Sequence, residues 1–130
     1  MRLLRLDHVV IYAVDVPRTI DFYTTVLGMT HVVFDDDYHA VQFGDQKINI
    51  HDSAAPFRPH AQHPASGASD VCLLTDTPTP DVLAHLRAHD VAVVDGPCQQ
   101  TGSLGPMESV YIHDPDGNLI EIANYSFGHI

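Results

Sequence analysis

The stretch HDPDGNLIEI, His113–Ile122, joins a tight-turn signature, Asp114-Pro115-Asp116-Gly117, to a run holding Leu119, Ile120 and Ile122. One carboxylate, Glu121, is embedded in that run. Asp-Pro-Asp-Gly supplies a fixed proline φ, side chains that bond their own backbone, and a glycine for a left-handed residue. Alternating apolar residues on both sides then predict two strands, ESVYIHD and NLIEIAN, joined by this turn. Side chains alternate along a strand, so Ile120 and Ile122 share one face and Glu121 points to the other.

Working outward, the same arrangement occurs twice. LLRLDHVVIYAVD reads as a strand. VPRTIDFYTTVLG reads as a helix, with Pro17 near its start, Ile20, Tyr23, Val26 and Leu27 at helical spacing, and Gly28 at its stop. MTHVVFD, YHAVQFG and KINIHD read as strands, with Gly44-Asp45-Gln46 between the last two. After a loop rich in Pro, His, Ala and Ser, the pattern restarts. SDVCLLTD is a strand, and TPDVLAHLRAHD a helix with Thr79 as its cap and Pro80 in its first turn. VAVVDG, ESVYIHD and NLIEIAN are strands. The order is βαβββ, a connection, then βαβββ: module one about 1–52, linker about 53–68, module two about 69–130. The fold class is α+β, with two βαβββ modules expected to form curved mixed sheets around a concave face.

Aligning the module ends places His8 opposite Asp70 and His51 opposite Glu121. Parity groups Lys47, Asn49 and His51 on one face. It groups His8 with Leu6, Val10 and Tyr12, Asp70 with Cys72 and Leu74, and Ser109 with Tyr111 and His113. These faces mix polar and small apolar residues, as a small-molecule site does. A divalent metal is one partner that satisfies imidazoles and carboxylates together. Singly, each residue has an ordinary explanation: a hydrogen-bonded histidine, a solvent-facing strand residue, a loop cap. Their matching placement in two modules is what points to a site.

Composition narrows the function classes. The chain has 130 residues, 45% of them hydrophobic, enough for one domain with a real core. Its formal net charge is −11 with only six Lys plus Arg, which argues against a nucleic-acid partner. No apolar run approaches the roughly 18 residues of a membrane span. The N-terminus reads as a strand rather than a leader. Cys72 and Cys98 form neither a zinc spacing nor a disulfide framework, and a cytoplasmic location is expected. Cys72 is expected to be small and buried in the pocket wall.

LDHVVIYAVDVPRTIDFYTTVLGM, followed by DPDGNLIEI, resembles the vicinal oxygen chelate superfamily: glyoxalase I, extradiol dioxygenases, fosfomycin-resistance thiol transferases and bleomycin-binding proteins. FGDQKINIH, HPASGASDVCLLT and TGSLGPMESVYIHDPDGNLIEIANY are similar to the glyoxalase domain-containing protein 5 group. The resemblance covers nearly the whole chain. It implies a divalent metal (Ni, Mn, Fe, Co or Zn) held by His8, His51, Asp70 and Glu121. Asp70 departs from the family's usual histidine. The resemblance further implies a homodimer whose sites are shared between chains. It implies a glyoxalase-I-like isomerase or lyase acting on a small substrate with vicinal oxygens through an enediolate, with Glu121 or Asp70 moving the proton. Tyr12, Lys47, Asn49, Cys72, Ser109 and Tyr111 are the expected substrate pocket. An Fe(II) extradiol catechol dioxygenase is the alternative, then a non-catalytic binding or resistance protein. Thiol transfer ranks below these because cations are sparse.

Overall fold

The structure is a computed structural model and describes residues 1–125. The expected end of module two, residues 126–130, lies outside the described residues. The chain divides into two compact units, Met1–Ala68 and Ser69–Ile130. Each carries one helix and one four-stranded mixed sheet, giving the α+β class expected from the repeat. Among the described residues, no helix is long and apolar enough to cross a membrane.

In the first unit, β1 (His8–Ala13) leads to α1 (Val16–Thr25), then β2 (Thr30–Phe34), β3 (Tyr38–Phe43) and β4 (Gln46–Asp52). The sheet order is β1-β4-β3-β2, parallel between β1 and β4 and antiparallel elsewhere. Asp15 caps α1 by accepting from the Arg18 N–H at 3.2 Å. The helix buries Thr19 and Tyr23. Ile11, Val41, Ile48 and Ile50 are almost fully buried, and each contributes roughly 1.5–3 kcal/mol of apolar burial.

In the second unit, β5 (Asp70–Leu74) leads to α2 (Thr79–Ala88), β6 (Asp95–Gly102), β7 (Gly105–His113) and β8 (Leu119–Tyr125). The order β5-β8-β7-β6 repeats the first sheet's topology. Val82 and Leu86 are the buried residues of α2. Val110, Ile112, Ile120 and Ile122 form the buried apolar face of the sheet.

The Asp114–Gly117 turn is braced on both sides. Asp114 Oδ1 accepts from the backbone N–H groups of Asp116 and Asn118, and Asn118 Nδ2 donates to Asp114 Oδ2 at 2.8 Å. Gly117 sits at φ +89°, a conformation costly for residues with a Cβ. Asn118 Oδ1 also accepts from Ser69 N–H, and Leu119 N–H bonds Ser69 O. The turn therefore sets where β5 begins beside β8, and with it the placement of Asp70.

Two local expectations are corrected. Thr79 is the first helical residue rather than the cap; Pro78 occupies the cap position, with no side-chain hydrogen bond. VAVVDG is not a strand over Val91–Val94, and Val93 and Val94 are exposed. The strand is β6, whose residues DGPCQQTG lack β-branched character except at Thr101 and are held extended by pairing with β7.

Candidate functional site

Each module presents one polar face. In module one, register places His8 beside Lys47, Val10 beside Asn49 and Tyr12 beside His51. The face grouping read from parity therefore holds. His8 is exposed, and its Nδ1 lies 2.8 Å from Asp7 Oδ1. Pairing Nδ1–H with a carboxylate leaves Nε2 as the nitrogen with a lone pair to offer. The same hydrogen bond is the main cause of the lowered Asp7 pKa. Asn49 is buried and its Oδ1 has no hydrogen-bond partner. Lys47 lays its Nζ 3.8 Å above the centre of the Phe34 ring.

His51 is only 8% exposed, and neither ring nitrogen has a partner. The rings of Tyr12, Tyr38 and Phe57 stand edge-on around it, with centroids at 5.9, 5.8 and 5.0 Å. Burial holds its imidazole below the ordinary value of 6.5, since desolvation penalises the charged form.

In module two, Asp70 pairs with Leu119, Cys72 with Glu121 and Tyr111 with Glu121 from the other side. Fully buried Ser109 donates its hydroxyl to Glu121 Oε2 at 2.6 Å. Cys72 is exposed on the module surface rather than buried as expected. Partial desolvation, then the charge and hydrogen bonding of Glu121, then the charge of Asp70, push its thiol up to about 11. It is thus a protonated thiol at neutral pH, not a nucleophile. Desolvation and then Glu121 also raise the Tyr111 phenol. A cleft of about 360 Å³ opens beside this carboxylate, lined by Cys72, Gln100, Met107, Glu121 and Tyr125 among others.

Register corrects one equivalence. Glu121 lies two residues beyond the partner of Asp70, namely Leu119. Two residues beyond the partner of His8, namely Lys47, lies Asn49 rather than His51. Asn49 is therefore the module-one counterpart of Glu121, and His51 corresponds to Ala123. His51 stands four residues along from the His8 row, about 13 Å at a strand's rise. Donors bound to one ion at about 2 Å each lie within roughly 4 Å of one another, so His8 and His51 do not converge from within one module. Offsets of two residues, about 7 Å, are within side-chain reach for His8 with Asn49 and for Asp70 with Glu121. Among the described residues, no three His, Cys, Asp or Glu side chains gather around one point.

Each module thus carries a pair of side chains that could serve a divalent cation as donors. His8 offers an oriented imidazole, Asn49 an unpartnered amide oxygen, and Asp70 and Glu121 carboxylates. These fit a hard or borderline ion, and His51 stands outside the set.

The chain belongs to the Glyoxalase/Bleomycin resistance protein/Dioxygenase superfamily, whose family pattern matches residues 5–122. It is 44% identical over 121 residues to the virulence protein STM3117 of Salmonella typhimurium, covering 93% of this chain and 84% of that protein. It is 45% identical over 120 residues to the glyoxalase domain-containing protein RDO1 of Mycosarcoma maydis, covering 92% of this chain and 68% of that protein. The crystal structure of the Salmonella protein superposes with a TM-score of 0.94 at 43% identity, over 96% of this chain and 99% of that one. A lactoylglutathione lyase from Agrobacterium tumefaciens superposes at a TM-score of 0.72 and 24% identity, over 94% of each chain, a likeness of fold.

Proposed function

We propose that this chain is a divalent-metal-dependent enzyme of the superfamily, a glyoxalase-like isomerase or lyase for a small substrate with vicinal oxygens. Two copies pair, and each site takes His8 and Asn49 from one chain and Asp70 and Glu121 from the other. The observation that carries this reading is the Glu121 carboxylate, half-buried, fixed by the Ser109 hydroxyl at 2.6 Å and set beside Asp70 by register. A carboxylate so oriented is suited to take a proton from a carbon beside a carbonyl and return it to the neighbouring carbon. Asp70, exposed at the start of β5, is free to share the ligand role or to hold a water. When bound, the cation would supply Lewis-acid polarisation of the substrate oxygens. The Ser109 hydroxyl keeps Glu121 placed during proton movement, with Cys72 and Tyr111 flanking it in register.

The dioxygenase alternative needs two histidines and one carboxylate around iron. Register leaves one histidine, His8, in the donor rows, which favours redox-neutral chemistry. The test is metal analysis of protein purified without added metal, alongside Glu121→Ala and Asp70→Ala. Glu121→Ala is expected to lose bound metal; full metal content in that variant would refute the site. A paired assay of hemithioacetals and catechols, with Ni²⁺ and Fe²⁺, follows. Isomerisation without oxygen uptake is expected, and oxygen consumption with catechol would overturn the reading.

A further inference from the structure

We propose that His51 is a substrate-recognition residue, the polar base of an aromatic slot that takes a small planar ring bearing a phenolic or enolic oxygen. Phe57 occupies the place of that ring in the free chain. The proposal deepens the reading above by naming a substrate class for the same face of module one.

The first support is the unmet hydrogen bonding. An imidazole offers one donor and one acceptor, yet both ring nitrogens of His51 are buried without a partner. Buried polar groups are nearly always satisfied, so two orphaned nitrogens on one ring call for a partner the free chain does not supply. Register has removed metal ligation beside His8 as the explanation for His51.

The second support is the shape and chemistry of the walls. Phe34, Tyr38 and Phe57 form a stack, with centroids 5.3 Å apart for Phe34–Tyr38 and 4.3 Å for Tyr38–Phe57. Phe57 is the outer ring of that stack, and its centroid lies 5.0 Å from that of His51. A planar ligand ring stacked on Tyr38 in its place would bring a ring oxygen to the imidazole edge. Phe57 belongs to the irregular segment after β4, not to a strand, and is only half-buried. It also borders a cleft of about 720 Å³ whose lining mixes Val16, Ile20 and Ile50 with Asp37, His39 and Asp52, among others. The apolar wall of that cleft can receive the displaced ring.

The third support is charge. In a chain of net charge −11, the side chains in register on this face include Lys47 and no carboxylate, while Asp35, Asp36 and Asp37 form the turn between Phe34 and Tyr38. Lys47 lies over Phe34, the end of the stack away from Phe57. With no charged side chain in register at its own end of the stack, the slot suits a neutral phenol or enol.

The experiment uses the metal-free full chain and 4-nitrophenol, a planar ring with one ionisable oxygen and no vicinal pair to chelate a metal. Binding is followed by difference absorbance in wild type, His51→Phe and Phe57→Ala. Saturable binding is expected in wild type, at least threefold tighter in Phe57→Ala and at least tenfold weaker in His51→Phe. The His51 ring nitrogens of folded wild-type protein, observed by ¹⁵N NMR, should shift on addition of the probe. That measurement stands even if a variant fails to fold. Unchanged affinity in His51→Phe, absence of saturable binding in both wild type and Phe57→Ala, or unmoved His51 resonances would overturn the proposal. Because no metal is present, such a failure leaves the metal-site reading standing. Loss of that reading through Glu121→Ala likewise leaves this one standing.

Discussion

Replacing Ser109 with alanine tests how the Glu121 carboxylate is held. The hydroxyl is fully buried and donates to Oε2 at 2.6 Å, a short hydrogen bond to a charged acceptor. Such bonds contribute roughly 1.5–3 kcal/mol. Glu121 is half-buried, so water recovers part of the loss. Alanine fills the Ser109 site except for one oxygen and leaves no unpaired donor. The expected cost is therefore about 1–2 kcal/mol. In urea unfolding of chelator-treated protein, with a slope of about 2 kcal/mol per molar, the midpoint should fall by about 0.5–1 M. A double-mutant cycle with Glu121→Leu isolates the pair, and its coupling should be about 1 kcal/mol or more. Metal affinity should fall about 10- to 100-fold, as it does when a group that orients a ligand is removed. A midpoint shift under about 0.2 M, or a coupling below about 0.3 kcal/mol, would refute the claim that this bond holds Glu121.

Gly96→Ala should destabilise by at least about 2 kcal/mol, because Gly96 sits at φ +94° and a Cβ there would lie 2.5 Å from Ser109 O; a wild-type urea midpoint would contradict this. The His51 imidazole titrates below 6.5 in the fold, so the unfolded chain binds more protons as pH falls. Its contribution is whole above pH 6.5 and is lost as pH drops from there through the folded-state pKa, with a slope of up to about 1.4 kcal/mol per pH unit. His51→Phe should flatten that part of the stability–pH curve, and identical curves would exclude His51 as its source. Sharing of sites between chains is tested by co-refolding His8→Ala with Glu121→Ala. Each alone should lack metal, while the mixture should recover a fraction of the wild-type content through hybrid dimers. A mixture without metal would show that the four donors do not come from two chains.

Much of the architecture was legible from the chain alone, because its signals are local. Strand alternation, the helical spacing of α1 and the Asp114–Gly117 turn depend on neighbours a few residues apart, and the βαβββ repeat follows from their order. Parity likewise put Glu121 opposite Ile120 and Ile122, and grouped Lys47, Asn49 and His51. Parity is blind, however, to a slip of two residues, since such a slip preserves the face. Only the hydrogen-bonded register of β4 against β1 shows that Asn49, not His51, stands where Glu121 stands in module two. The nest around His51 draws on Tyr12, Tyr38 and Phe57 from three separate segments, a proximity no local pattern encodes. β6 has the same origin: DGPCQQTG carries almost no strand preference and becomes a strand because β7 supplies its ladder, while the apolar Val93 and Val94 remain exposed. The sequence by itself determined every element but β6, their order and the face of the side chains they carry. Tertiary structure decided which of those side chains meet, because register and pairing depend on contacts between residues far apart in the chain.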